Sequence, residues 1–131
     1  VRARLELLEL QPEMVAKAQR KLHARGQRNV RFTVHDANEP LPYNDECFDV
    51  AVLIAVLGEI SKPESCLREL LRVLRPGGVL AIHEHLPDPD RIPLVALRSV
   101  VERCGFRFRQ SWGPSWNYTA TFQRPFEPES A

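Results

Sequence analysis

The chain has 131 residues, a length that suits one domain with its own core. Hydrophobic residues make up 44% and charged residues 27%, the balance of an ordinary soluble globular protein. A net charge of +1 argues against a dominant electrostatic partner, and no apolar run approaches the roughly 20 residues of a membrane span, so no membrane partner is expected.

Cys47, Cys66 and Cys104 are far apart and form no C-x-x-C. A reduced, cytoplasmic setting is expected, and no signal peptide is recognised. The chain begins with Val1 rather than Met, and its first residues read as the middle of an element. An upstream part is expected.

Arg4 to Leu10 reads as a short strand, with Leu8 and Leu10 on one face and Glu9 near its end. Pro12 suits the first position of a helix, Glu13 suits its dipole, and Gly26 stops it. Val30 to His35 alternates like a strand near a sheet edge. A polar loop with Pro40, Pro42, Asn44 and Asp45 leads to FDVAVLI, Phe48 to Ile54, which has no polar residue after Asp49. Such a strand is expected to be buried on both faces.

A second helix starts at Lys62-Pro63-Glu64, buries Leu67, Leu70, Leu71 and Leu74, and stops at Pro76-Gly77-Gly78. Val79 to His83 is a further strand. A third helix from about Pro93 to Cys104 buries Leu94, Leu97, Val101 and Cys104. The rest reads as an antiparallel hairpin turning at Gly113-Pro114. In its first strand Phe106, Phe108 and Gln110 alternate with Arg107, Arg109 and Ser111. In its second Tyr118, Ala120 and Phe122 alternate with Thr119, Thr121 and Gln123. The order implies an α/β fold with a mostly parallel sheet and a C-terminal antiparallel hairpin. Residues 1–124 form the expected domain, and 125–131 a flexible tail.

The segments LLELQPEM, NVRFTVHDANEPLPYNDECFDVAVLIAVLGEI, LRELLRVLRPGGVLAIHE and CGF with the hairpin carry a resemblance. In this order they resemble the class I S-adenosylmethionine-dependent methyltransferases, in particular the small-molecule "methyltransferase type 11" kind. The resemblance implies a Rossmann-like sheet with helices on both faces, S-adenosylmethionine as cofactor and a small-molecule acceptor. It implies that Glu9 accepts hydrogen bonds from the ribose hydroxyls and that Leu10 packs on adenine. Asp36 would accept from the adenine amino group beside the Ala37 backbone. Ile54 and Ala55 would lie under the methionine part. No catalytic residue is assigned, because only Glu59 is ionisable where relatives carry a His or Glu pair.

The family's first strand and glycine-rich loop are absent, so the fold is expected to be N-terminally truncated. Two strand spacings, roughly 10 Å, would separate the strands that flank it. Three solutions are open: a missing upstream segment, a strand from an oligomer or partner chain, or direct pairing of the Glu9 strand with FDVAVLI. The alternative to an enzyme is therefore a non-catalytic remnant that self-associates or binds a partner. His83-Glu84-His85 reads as a polar strand exit rather than a metal site, with His85 a candidate acceptor contact. Arg107 and Arg109, on one face, and Trp112 and Trp116, near the turn, read as an exposed sheet face and a partly buried turn, with nucleic acid not expected.

Overall fold

The computed structural model describes residues 5–9, 16, 20, 21, 24, 30–34, 38–54, 57, 60–85 and 92–126. Its elements are β1 (Leu5–Glu9), β2 (Val30–Val34), β3 (Phe48–Ile54), α1 (Pro63–Val73), β4 (Leu74–His85), α2 (Leu94–Arg103), β5 (Arg107–Trp112) and β6 (Asn117–Gln123). The strands form a β1-β2 pair and a four-stranded sheet in the order β3-β4-β6-β5. By its contacts the chain divides into two units, Val1–Leu41 and Pro42–Ala131.

In the first unit β1 and β2 run parallel, from Leu5 opposite Val30 to Glu9 opposite Val34. Parallel neighbours need a crossover, usually a helix. Ala16, Arg20, Lys21 and Ala24 in this connection are helical. The remainder of the helix expected after Pro12 lies outside the described residues.

In the second unit β3 and β4 are parallel, while β4-β6 and β5-β6 are antiparallel. One face of this sheet carries the core. Leu80 and Ile82 of β4 and Tyr118, Ala120 and Phe122 of β6 are buried there with Leu67 of α1 and Leu97 and Val101 of α2. β6 alternates as its sequence implied: Tyr118, Ala120 and Phe122 are buried, and Thr119, Thr121 and Gln123 are half-buried. Phe108 meets Phe122 edge-on across the β5-β6 register, with ring centroids 5.6 Å apart. The Arg98 guanidinium stacks 4.0 Å from the Phe108 centroid.

Three expectations need correction. First, β3 is not buried on both faces: Val50 is 57% and Val52 56% exposed, while Ala51 and Leu53 pack against the core. Among the described residues β3 ends its four-stranded sheet, and α1 and α2 pack on the opposite face. Second, the helix of the Leu67 stripe ends at Val73, before Pro76-Gly77-Gly78, and Leu74 is already extended. A residue preceding proline is disfavoured in the helical region, which turns Arg75 out of the helix. The Arg-Pro-Gly-Gly run becomes an irregularity inside β4, where pairing jumps from Phe48–Leu74 to Val50–Val79. Gly77 sits there at φ 82, and at Gly78 a Cβ would come 2.8 Å from the Arg75 carbonyl oxygen. Third, Arg107 and Arg109 do not alternate regularly along one face. The register shifts between Phe108 and Gln110, so a bulge at Arg109 interrupts the alternation.

Candidate cofactor and acceptor site

In open α/β sheets ligands bind beyond the carboxyl ends of parallel strands. The first unit provides one such edge. Glu9 ends β1 level with Val34, the last residue of β2. Leu10, Asp36 and Ala37 follow these ends and lie outside the described residues. The second unit provides another. Ile54 ends β3 level with His83 of β4, and Ala55 lies outside the described residues. The parallel pairing thus brings Glu9 beside the strand that Asp36 follows, and Ile54 beside His83.

The loop entering β3 is fixed by α1. Arg72, in the last turn of the helix, holds the Glu69 carboxylate at 2.8 and 3.0 Å, the Tyr43 carbonyl at 2.8 Å and Asp45 at 2.9 Å. Hydrogen bonds to Glu69 and then Asp45 raise its affinity for the proton, so the guanidinium stays charged. The Glu46 and Cys47 amides donate to the Arg72 and Val73 carbonyls at 2.9 and 2.8 Å. Arg124 donates to the Leu71 and Leu74 carbonyls at 3.0 and 2.6 Å. Helix carbonyls without intrahelical partners are thereby satisfied from two directions. Glu46 takes φ 54, a turn geometry that this pinning maintains.

The His83-Glu84-His85 exit separates into different roles. Glu84 follows Leu80 and Ile82 at alternate positions, so it shares their buried face and is 1% exposed. Its Oε2 accepts the Ile92 amide at 3.4 Å, and the Tyr118 hydroxyl donates to the Ile92 carbonyl. Together they fasten the start of the segment that enters α2. The same alternation in the sequence would have located Glu84 inside. His83 lies on the other face, with Nδ1 2.9 Å from Thr119 Oγ1, a pairing that crosses from β4 to β6. No sequence spacing of 36 residues announces that contact. His85 pairs with Asn117 at the strand end. Among the described residues no group of three or more His, Cys, Asp and Glu is placed to hold a metal ion.

The buried thiols are held protonated. Burial, then the Glu69 charge, pushes Cys66 up to about 11, and burial also raises Cys104. Neither is a nucleophilic thiolate at neutral pH. Among the described residues these strand ends include Glu9 and His83, a carboxylate and an imidazole suited to binding and orientation.

Comparison with known proteins identifies the family. Residues 2–82 match the family described as "Methyltransferase domain". A demethylmenaquinone methyltransferase of Thermus thermophilus is 42% identical over 78 residues, covering 60% of this chain and 34% of that protein. A phosphatidylethanolamine N-methyltransferase of Cereibacter sphaeroides is 31% identical over 118 residues, covering 89% of this chain and 54% of that protein. The chain thus spans about a third to half of these relatives. Among solved structures, an S-adenosylmethionine-dependent methyltransferase from Aquifex aeolicus superimposes with a TM-score of 0.81 at 22% identity, over 92% of this chain and 69% of that one. Its fold is shared. The chain belongs to the class I S-adenosylmethionine-dependent methyltransferases.

Proposed function

We propose that the chain carries the cofactor side of a methyltransferase that moves a methyl group from S-adenosylmethionine to a small-molecule acceptor. The supporting observation is the register of β1 on β2, which puts Glu9 at a carboxyl edge level with Val34. A carboxylate at such an edge can accept from both ribose hydroxyls. Asp36 would take the adenine amino group beside the Ala37 backbone, with Leu10 against the ring. Ile54 and Ala55 would support the methionine part through their backbone. The cofactor supplies an electrophilic methyl on a sulfonium. The protein's contribution is to hold the acceptor in line with it, and orientation alone supplies a large share of such acceleration. Among the described residues, His83 is level with Ile54 and would be an ionisable group near an acceptor held there.

Quinone precursors and phosphatidylethanolamine, named for two relatives, define the first acceptors to try. Methyl-labelled S-adenosylmethionine incubated with a demethylated quinol or with phosphatidylethanolamine should give labelled product. Absence of both product and cofactor binding in the folded protein would remove the enzyme reading.

The second reading is a methyltransferase-fold remnant whose sheet is completed by another copy of the chain. More than half of Val50 and Val52 is exposed on β3, an end strand of its sheet, which favours it. Sedimentation velocity on the protein and on Val52→Lys distinguishes the two. A dimer that the substitution dissociates, with no cofactor binding, supports the remnant. A monomer that binds cofactor supports the enzyme.

A further inference from the structure

We propose that the tip of the β5-β6 hairpin docks on the surface of an anionic phospholipid bilayer. Trp112 ends β5 and Trp116 precedes β6; they are 50% and 56% exposed. Between them the chain turns at Gly113, with φ 90, and the Asn117 amide closes the turn on the Pro114 carbonyl at 3.0 Å. Two rings that each keep half their surface against the protein and half in solvent are suited to an interface, where one side is apolar and the other wet.

A third apolar side chain lies towards the same end of the sheet. Val95 is 83% exposed and follows Ile92 by three residues. The Tyr118 hydroxyl holds the Ile92 carbonyl, which ties this segment to β6 two residues beyond Trp116.

Charge points the same way. From Arg103 to Phe126 the sequence holds Arg103, Arg107, Arg109 and Arg124 and no Asp or Glu. Arg103 pairs with Glu64 and Arg124 with Glu46. Arg107 and Arg109 are exposed and enter no salt bridge among the described residues. The bulge at Arg109 interrupts the regular alternation of β5. Arg109 stands three residues, about 10 Å, back from Trp112 along the strand. Rings at the tip with Arg109 behind them match the depth order of a bilayer, acyl boundary first and phosphates next, and Arg107 lies farther back at the start of β5. Binding at an interface strengthens with buried apolar area and with attraction to anionic lipid together.

A single-stranded nucleic acid fits less well. Its bases would need rings spaced along a positive groove. Here the rings flank one tight turn, and Ser111, Ser115 and Asn117 beside them are exposed and uncharged. The lack of a helix able to cross a membrane among the described residues concerns spans and leaves surface docking open.

Trp112 and Trp116 are the only tryptophans in the sequence, so intrinsic fluorescence reports on this tip alone. The test titrates the whole protein with vesicles of phosphatidylcholine and with vesicles containing equal phosphatidylcholine and phosphatidylglycerol. The expected result is a blue-shifted emission with the anionic vesicles only, reversed by salt. Arg109→Gln should weaken vesicle co-sedimentation roughly fivefold at low salt. Trp112→Ala with Trp116→Ala should abolish it, with circular dichroism confirming the fold of both variants. Unchanged emission with both vesicles would overturn the proposal. So would equal binding to neutral vesicles, or a response only to a single-stranded oligonucleotide. Cofactor titration is independent of this readout, so failure here leaves the methyltransferase reading intact.

Discussion

Single residues set the junction on which the second unit depends. Arg124 is one: its guanidinium serves two carbonyls at the end of α1 and reaches Glu46 at 3.3 Å. Arg124→Ala leaves those carbonyls without this donor and should cost about 1–3 kcal/mol in urea unfolding. Arg124→Lys should recover part of the loss, because an ammonium lacks the planar fork. Cys66 gives a pH dependence with a definite sign. Its thiol is pushed from 9.0 up to about 11 in the folded protein, so the native state keeps a proton that the unfolded chain releases. The stability this provides is complete below about pH 9 and is lost as pH rises toward 11. The advantage of the protein over Cys66→Ala should therefore shrink by on the order of 2 kcal/mol across that window, measured by urea midpoints. At the proposed cofactor edge, Glu9→Gln should weaken S-adenosylmethionine binding by roughly tenfold or more, the usual cost of losing a charge-assisted hydrogen bond, read by calorimetry.

Elements differ in how plainly the sequence announces them. α1 and α2 were legible because Leu67 and, in α2, Leu97 and Val101 fall at helical spacing, and Pro63 and Gly105 punctuate them. β6 was legible because Tyr118, Ala120 and Phe122 alternate without a break. The faces of β3 were not, since valine at positions 50 and 52 records a preference for burial and not whether a neighbour supplies it. The end of α1 was misplaced because Pro-Gly-Gly is a strong stop signal, yet the proline acts one residue upstream and its glycines serve a bulge in β4. The interior position of Glu84 was hidden behind its charge, although its alternation with Leu80 and Ile82 gives its face. Hairpin geometry carries its own prediction. Gly113 sits at φ 90, and a Cβ there would approach the Asn117 carbonyl oxygen to 2.3 Å. Gly113→Ala should destabilise the protein by more than about 1 kcal/mol in thermal unfolding.

At the scale of the molecule, family membership follows from sequence order and fold, while activity follows from a site that must bind before it can react. Among the described residues, the strand ends carry Glu9 on one edge and Ile54 and His83 on the other. The cofactor role proposed for Asp36 and Ala37 rests on resemblance, since no local pattern separates a ligand aspartate from a turn aspartate. Isothermal titration of the whole protein with S-adenosylmethionine tests the central claim most directly. The expected result is saturable binding at one site, weakened by Glu9→Gln and unaffected by Arg107→Gln. A folded protein that takes up no S-adenosylmethionine at millimolar concentration would contradict it.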